Sequence, residues 1–148
     1  MRVLVPAFVA ALATIPAFAK DGMIHQTAST DVAETVEAFT KLLESKGATV
    51  FATVEHAKGA EKVDMDLAPA TLVIFGNPKL GTPLMQAAPT MGIDLPMRVL
   101  FYAGKDGKTH IVYHDIGEVA AAHGVPADHP ALMKAKGALK NLTGAVAK

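Results

Sequence analysis

Neither cysteine nor tryptophan occurs in the 148 residues, and the other aromatic rings are few, with six phenylalanines and two tyrosines. Without thiols the chain has no disulfide, zinc–thiolate centre, iron–sulfur cluster or covalently attached c-type haem. Without tryptophan it lacks the usual platform for stacking carbohydrate. An excess of charge is missing too: 14 basic side chains face 14 acidic ones, for a formal net charge of 0. Such a chain has no long-range attraction for nucleic acid or anionic lipid, and neither is expected as a partner. Nucleophile motifs are absent as well. There is no Gly-x-Ser-x-Gly, no His-Glu-x-x-His and no phosphate-cradling glycine loop, and past residue 19 the only serines are Ser29 and Ser45.

Long apolar runs are missing everywhere except the first residues. Arg2 precedes an uncharged stretch from Val3 to Ile15, and Ala17-Phe18-Ala19 has the small-x-small form that signal peptidase accepts. The stretch is shorter than the roughly 20 residues a bilayer span needs. Residues 1–19 therefore read as a cleaved export signal, with cleavage after Ala19 and a periplasmic destination. Residues 20–148 would then form one domain with net charge −1 once Arg2 is gone. The next most apolar stretch, Leu67 to Phe75, is short and contains Pro69, so no transmembrane segment is expected after the signal.

Thr30-Asp31 ahead of Glu34 has capping-box spacing and opens the clearest helix. Val32, Val36, Phe39, Leu42 and Leu43 form its apolar stripe, and Gly47 supplies its left-handed end. Ile24–Ser29 and Thr49–Val54 read as strands, while Glu55–Val63 reads as a loop or short helical turn. Thr71–Phe75 is a continuous apolar run, which suits a central strand buried on both faces. Thr82-Pro83 has the form of a helix start, with Pro89 and Gly92 at its end. Met97–Ala103 and Thr109–His114 flank Asp106-Gly107 as a hairpin. Alanine-rich helices follow over 116–122 and 131–146. Helices interleaved with a hairpin point to an α+β, two-layer sandwich: a small mixed or antiparallel sheet, two main helices and a C-terminal helix.

Glu55-His56 with Ala60, Phe75-Gly76-Asn77-Pro78, Leu84-Met85, Asp94-Leu95-Pro96, Asp106-Gly107 and Tyr113 together resemble the domain of unknown function 302 family over about residues 24–124. The resemblance implies a small α+β domain, often dimeric, with no common activity. Members often carry Asp-His where this chain has Glu55-His56, which keeps the carboxylate but lengthens its reach.

Four residues stand out as site candidates. His56, beside Glu55 at a strand end, has the chemistry to ligate a metal or move protons near neutral pH, or simply to fix its own loop. Asn77 sits where a strand hands over to a helix, with Lys79 and the amides around Thr82–Leu84 as a possible anion cradle; a plain tight turn explains the same residues. Tyr113 is either a hydrogen-bond donor in a pocket or part of the core. His110 and His114 share a strand face about 13 Å apart and cannot chelate one ion. His123, His129 and the scattered methionines invite a copper reading, but no Met-x-Met or His-x-Met run occurs.

These residues support an exported, homodimeric domain that binds a small ligand, metal or cofactor near His56, Glu55, Asn77 and Tyr113; the identity of any cofactor stays open. Two alternatives stand beside it. One is an interaction module of an envelope complex without a small ligand. The other is a hydrolase or isomerase with His56 as general base.

Overall fold

The structure, a computed structural model, describes residues 22–147. The expected export signal over residues 1–19 lies outside the described residues.

Five strands form one antiparallel sheet: β1 (Met23–Ala28), β2 (Thr49–Glu55), β3 (Ala70–Gly76), β4 (Met97–Ala103) and β5 (Thr109–His114), in the order β1-β5-β4-β3-β2. Every neighbouring pair is antiparallel. The helices are α1 (Val32–Ser45), α2 (His56–Glu61), α3 (Pro78–Ala87), α4 (Ile116–Ala122) and α5 (Pro130–Val146), with a 3-10 turn at Pro89–Ile93. Helix α1 carries the chain from one sheet edge to the other and packs on β2, β3 and β4, while α5 packs on β1, α1, α3 and α4. The result is the α+β sandwich expected from the sequence, with an antiparallel sheet.

Local chemistry sets the boundaries of α1. Asp31 Oδ1 accepts from the Glu34 N–H at 2.8 Å, which satisfies one of the orphan first-turn donors. At the other end Gly47 has φ +73°. The Ala48 N–H reaches Leu43 O at 3.0 Å and the Gly47 N–H reaches Glu44 O at 2.9 Å, the pair of bonds of a Schellman cap. The buried stripe of α1 is Val32, Thr35, Phe39 and Leu43. Thr35 takes part because its hydroxyl is satisfied by Asp31 O at 2.6 Å.

Phe39 anchors the core. It is fully buried, meeting Phe75 edge-on at 5.4 Å between ring centroids and Phe101 at 5.1 Å. Val73, Val99, Ile111 and Tyr113 extend this layer across the sheet, and Ala131, Leu132, Leu139 and Leu142 of α5 close it.

Two expectations are corrected here. Strand β3 is not buried on both faces: Thr71, Val73 and Phe75 are buried, whereas Ala70, Leu72 and Ile74 are half-buried. In an antiparallel sheet with α1 and α5 on one face, alternate side chains of a central strand point away from the core. The helix after β3 begins earlier than Thr82-Pro83 suggests. Asn77 is its N-cap and Pro78 its first residue, which leaves Pro83 inside the helix. An Asn-Pro pair supplies the same start chemistry five residues sooner.

Candidate functional site

One concave surface of the fold lies around the end of β3. Strand β2 loses register with β3 between Val50 and Ala52, and the residue between them, Phe51, is more than half exposed. Bulges re-aim side chains. Here the ring of Phe51 lies over Gly76, where an added Cβ would stand 3.3 Å from Phe51 Cε2, so a side chain at position 76 would press on the ring. Phe51, Gly76, Leu80, Gly81, Met85 and Met97 belong to the wall of an apolar pocket of about 220 Å³. Leu95 and Pro96, joined by a cis peptide bond, form one lip, and Ile116 and Ala135 close the back.

Polar groups are few in this wall. Asn77 lines it, but its side chain is committed to the backbone: Oδ1 accepts from the Lys79 N–H at 2.9 Å and Nδ2 donates to Gly47 O at 3.4 Å. Thr82 adds one hydroxyl. The expected anion cradle at Thr82–Leu84 is not formed, because those residues lie within α3 rather than at its N-terminus. What remains is a small apolar recess with a polar rim, suited to an uncharged molecule of about the size of one substituted ring.

The four expected site residues do not converge. Glu55 pairs with Thr71 and Thr49 with Gly76, so His56 and Asn77 lie beyond opposite ends of the paired stretch of β2 and β3, which from Thr71 to Gly76 alone spans about 17 Å at 3.3 Å per residue. His56 is exposed at the start of α2, a helix with no buried residue. The carboxylate of Glu55 is held by Lys58 Nζ at 2.6 Å rather than by His56. This contact, chiefly a hydrogen bond, raises the Lys58 pKa above its ordinary value. The expected Glu55–His56 dyad is therefore not formed. Tyr113 faces the helices in the interior of the sheet, and its hydroxyl lies 3.4 Å from that of Thr143. Among the described residues no group of three or more His, Asp or Glu side chains is arranged to hold a metal, at His56 or elsewhere.

One polar cluster escaped the sequence reading. His123, only 14% exposed, places Nε2 2.7 Å from Asp94 Oδ2 and Nδ1 2.8 Å from Thr90 Oγ1. A carboxylate can only accept, so Nε2 carries the hydrogen. Arg98 stands 3.6 Å from the other Asp94 oxygen. The cluster ties the end of α4 to the 3-10 turn just before the Leu95-Pro96 lip. Asp94 belongs to the Asp-Leu-Pro motif, but a partner 29 residues away leaves no local signature. His110 and His129 have local roles. His110 binds Asp106 at 3.0 Å and stacks on Tyr102, and His129 caps α5. The His110 hydrogen bond, helped by the Lys108 N–H, holds the Asp106 carboxyl below its ordinary range.

The model of the domain of unknown function DUF302 matches residues 24–148. The chain belongs to the DUF302 family. A crystal structure described as an uncharacterized conserved DUF302 protein from Bacillus stearothermophilus superposes with a TM-score of 0.69. The match covers 86% of this chain and 96% of that one at 18% identity, which shows the shared fold. Curated relatives carry a different name. A protein named fluoride-specific ion channel FluC 1 from Brucella suis is 36% identical over 114 residues, covering 77% of this DUF302 chain and 45% of the relative. A protein of the same name from Brucella abortus, and one named FluC 2 from Brucella melitensis, match at 36% identity over 42% of their lengths. The chain thus spans less than half the length of the curated relatives it matches. No helix among its described residues is long and apolar enough to cross a membrane.

Proposed function

We propose that this DUF302 chain is an exported domain that binds a small, uncharged, apolar molecule in the pocket between Phe51, the Gly76–Pro78 turn and the Leu95-Pro96 lip. The observation that carries the reading is the pocket itself. It is an apolar recess of about 220 Å³ beside the turn that marks the family, and burying apolar ligand surface there is favourable by about 25 cal/mol per Å². Among the described residues the wall holds no assembled acid–base pair, and we read the recess as a binding site. The N-terminal sequence pattern supports the export part of the reading.

Gly81 gives a test. An added Cβ would meet only Leu95 Cδ1, at 3.7 Å, so Gly81→Leu fills the recess from inside α3. Toluene titrated into the wild type is expected to shift the amide resonances of Gly76, Gly81 and Met97 saturably, and to leave them unmoved in Gly81→Leu. Equal shifts in both proteins would sink the assignment.

The reading includes a homodimer. The outward sheet face carries the cross-strand row Val112, Leu100, Leu72 and Val54, all outside the core cluster. A second copy related by a two-fold axis would cover that row with its own. Leu72→Arg is expected to yield the monomer mass in native mass spectrometry where the wild type gives the dimer.

The curated relatives favour a second reading, in which the domain docks on a membrane ion channel, because the matching segment forms a minority of proteins named as fluoride channels. It requires that the tagged chain retain a channel protein through detergent extraction of the envelope.

A further inference from the structure

A second cavity, larger than the recess at the family turn, lies away from it. It is an open groove of about 530 Å³ between β1, β5 and α5. Its floor is apolar, with Ile24 from β1 and Leu139 from α5. On the helix side, Met133, Lys136, Gly137 and Lys140 follow i, i+3, i+4, i+7 spacing and so form one face of α5. Gly137 leaves a gap in that face: a Cβ there would meet nothing within 4 Å.

Two observations point to a ligand rather than to ordinary packing. Gln26 stands in the inward series of β1 between Ile24 and Ala28, where alternation asks for an apolar residue. Its Oε1 is buried in the groove wall with no hydrogen-bond partner among the described residues, an arrangement folded proteins seldom leave standing. The second is charge. Of the two lysines at the rim, Lys136 is turned to Asp115 Oδ1 at 3.6 Å, and that same oxygen accepts from the Gly117 N–H at 2.7 Å. Lys140 has no such partner among the described residues. The groove therefore presents an apolar floor, one orphan acceptor and one uncompensated cation.

The geometry points to a second binding site for an amphipathic carboxylate. Its apolar body lies along Ile24 and Leu139 in the gap at Gly137, a donor on that body reaches Gln26 Oε1, and its carboxylate pairs with Lys140. A hydroxylated acid of about ten carbons fits a groove of this size.

The probe is 3-hydroxydecanoate, with decanoate as the comparison, titrated into the full chain and followed by amide resonances. Saturable shifts are expected at Ile24, Tyr113 and Gly137, with decanoate binding more weakly because it cannot satisfy Gln26. Lys140→Gln is expected to weaken binding about three- to fivefold, the loss of one partly exposed ion pair. Gly137→Phe fills the gap, and since glycine is the poorer helix former, the variant keeps its fold. It is expected to abolish the shifts while toluene still binds at the family turn. Undiminished 3-hydroxydecanoate binding in Gly137→Phe, or no saturable shift in the wild type, would overturn the proposal.

Discussion

Replacing His123 with alanine removes both hydrogen bonds that join the end of α4 to the 3-10 turn, at 2.7 Å to Asp94 and 2.8 Å to Thr90. A hydrogen bond to a neutral partner contributes about 1 kcal/mol net, and one to a charged partner about 1.5–3 kcal/mol. Asp94 is about one-third exposed, so water recovers part of its loss and the lower end applies. The expected destabilisation is about 2–3 kcal/mol, which lowers the melting temperature by roughly 5–10 °C in a chain of this size. Urea denaturation should show a lower midpoint with an unchanged slope. Asp94→Ala combined with His123→Ala should be less damaging than the sum of the two, with a coupling of about 1 kcal/mol. The Leu95-Pro96 lip follows Asp94 directly, so toluene affinity should fall with stability. A loss under about 0.5 kcal/mol with additive effects would refute the view that this cluster holds the lip in place.

Phe39→Ala opens a cavity between Phe75 and Phe101 and should cost about 3–5 kcal/mol by urea denaturation, a large share of the stability of an ordinary domain. The Asp106 carboxyl is held below its unfolded value by His110. The unfolded chain then binds the proton more readily, so this contribution is present above about pH 4 and is lost as pH falls through the lowered folded value. Asp106→Asn should remove that part of the acid decline in the urea midpoint, and an unchanged pH profile would contradict the assignment.

Much of the fold was legible because it is specified locally. Asp31, Glu34 and Gly47 mark the ends of α1 within the chain itself, and Asp106-Gly107 marks the β4–β5 turn. The apolar run of β3 misled on burial because composition gives hydrophobicity but not sheet direction, and an antiparallel strand can be apolar on both faces with only one face in the core. The start of α3 was misplaced because Asn77-Pro78 and Thr82-Pro83 both carry start chemistry, and tertiary packing chooses between them. The site was legible only at the Gly76–Pro78 turn. His56, Asn77 and Tyr113 each stood at a plausible place, but the separation of His56 from Asn77 depends on the β2–β3 register and that of Tyr113 on the strand order, which single residues do not encode. Phe51 was hidden because a bulge leaves no mark in an unbroken strand-forming run. The His123–Asp94 contact and the Gln26 groove depend on segments far apart in sequence.

The most direct test of the central claim is the small-molecule content of the protein as the cell makes it. The wild type and Gly81→Leu are purified in parallel from the envelope fraction, extracted into organic solvent and compared by mass spectrometry. The account predicts a small apolar compound in stoichiometric amount with the wild type and none with Gly81→Leu. The same compound recovered equally from both, or from neither, would contradict it.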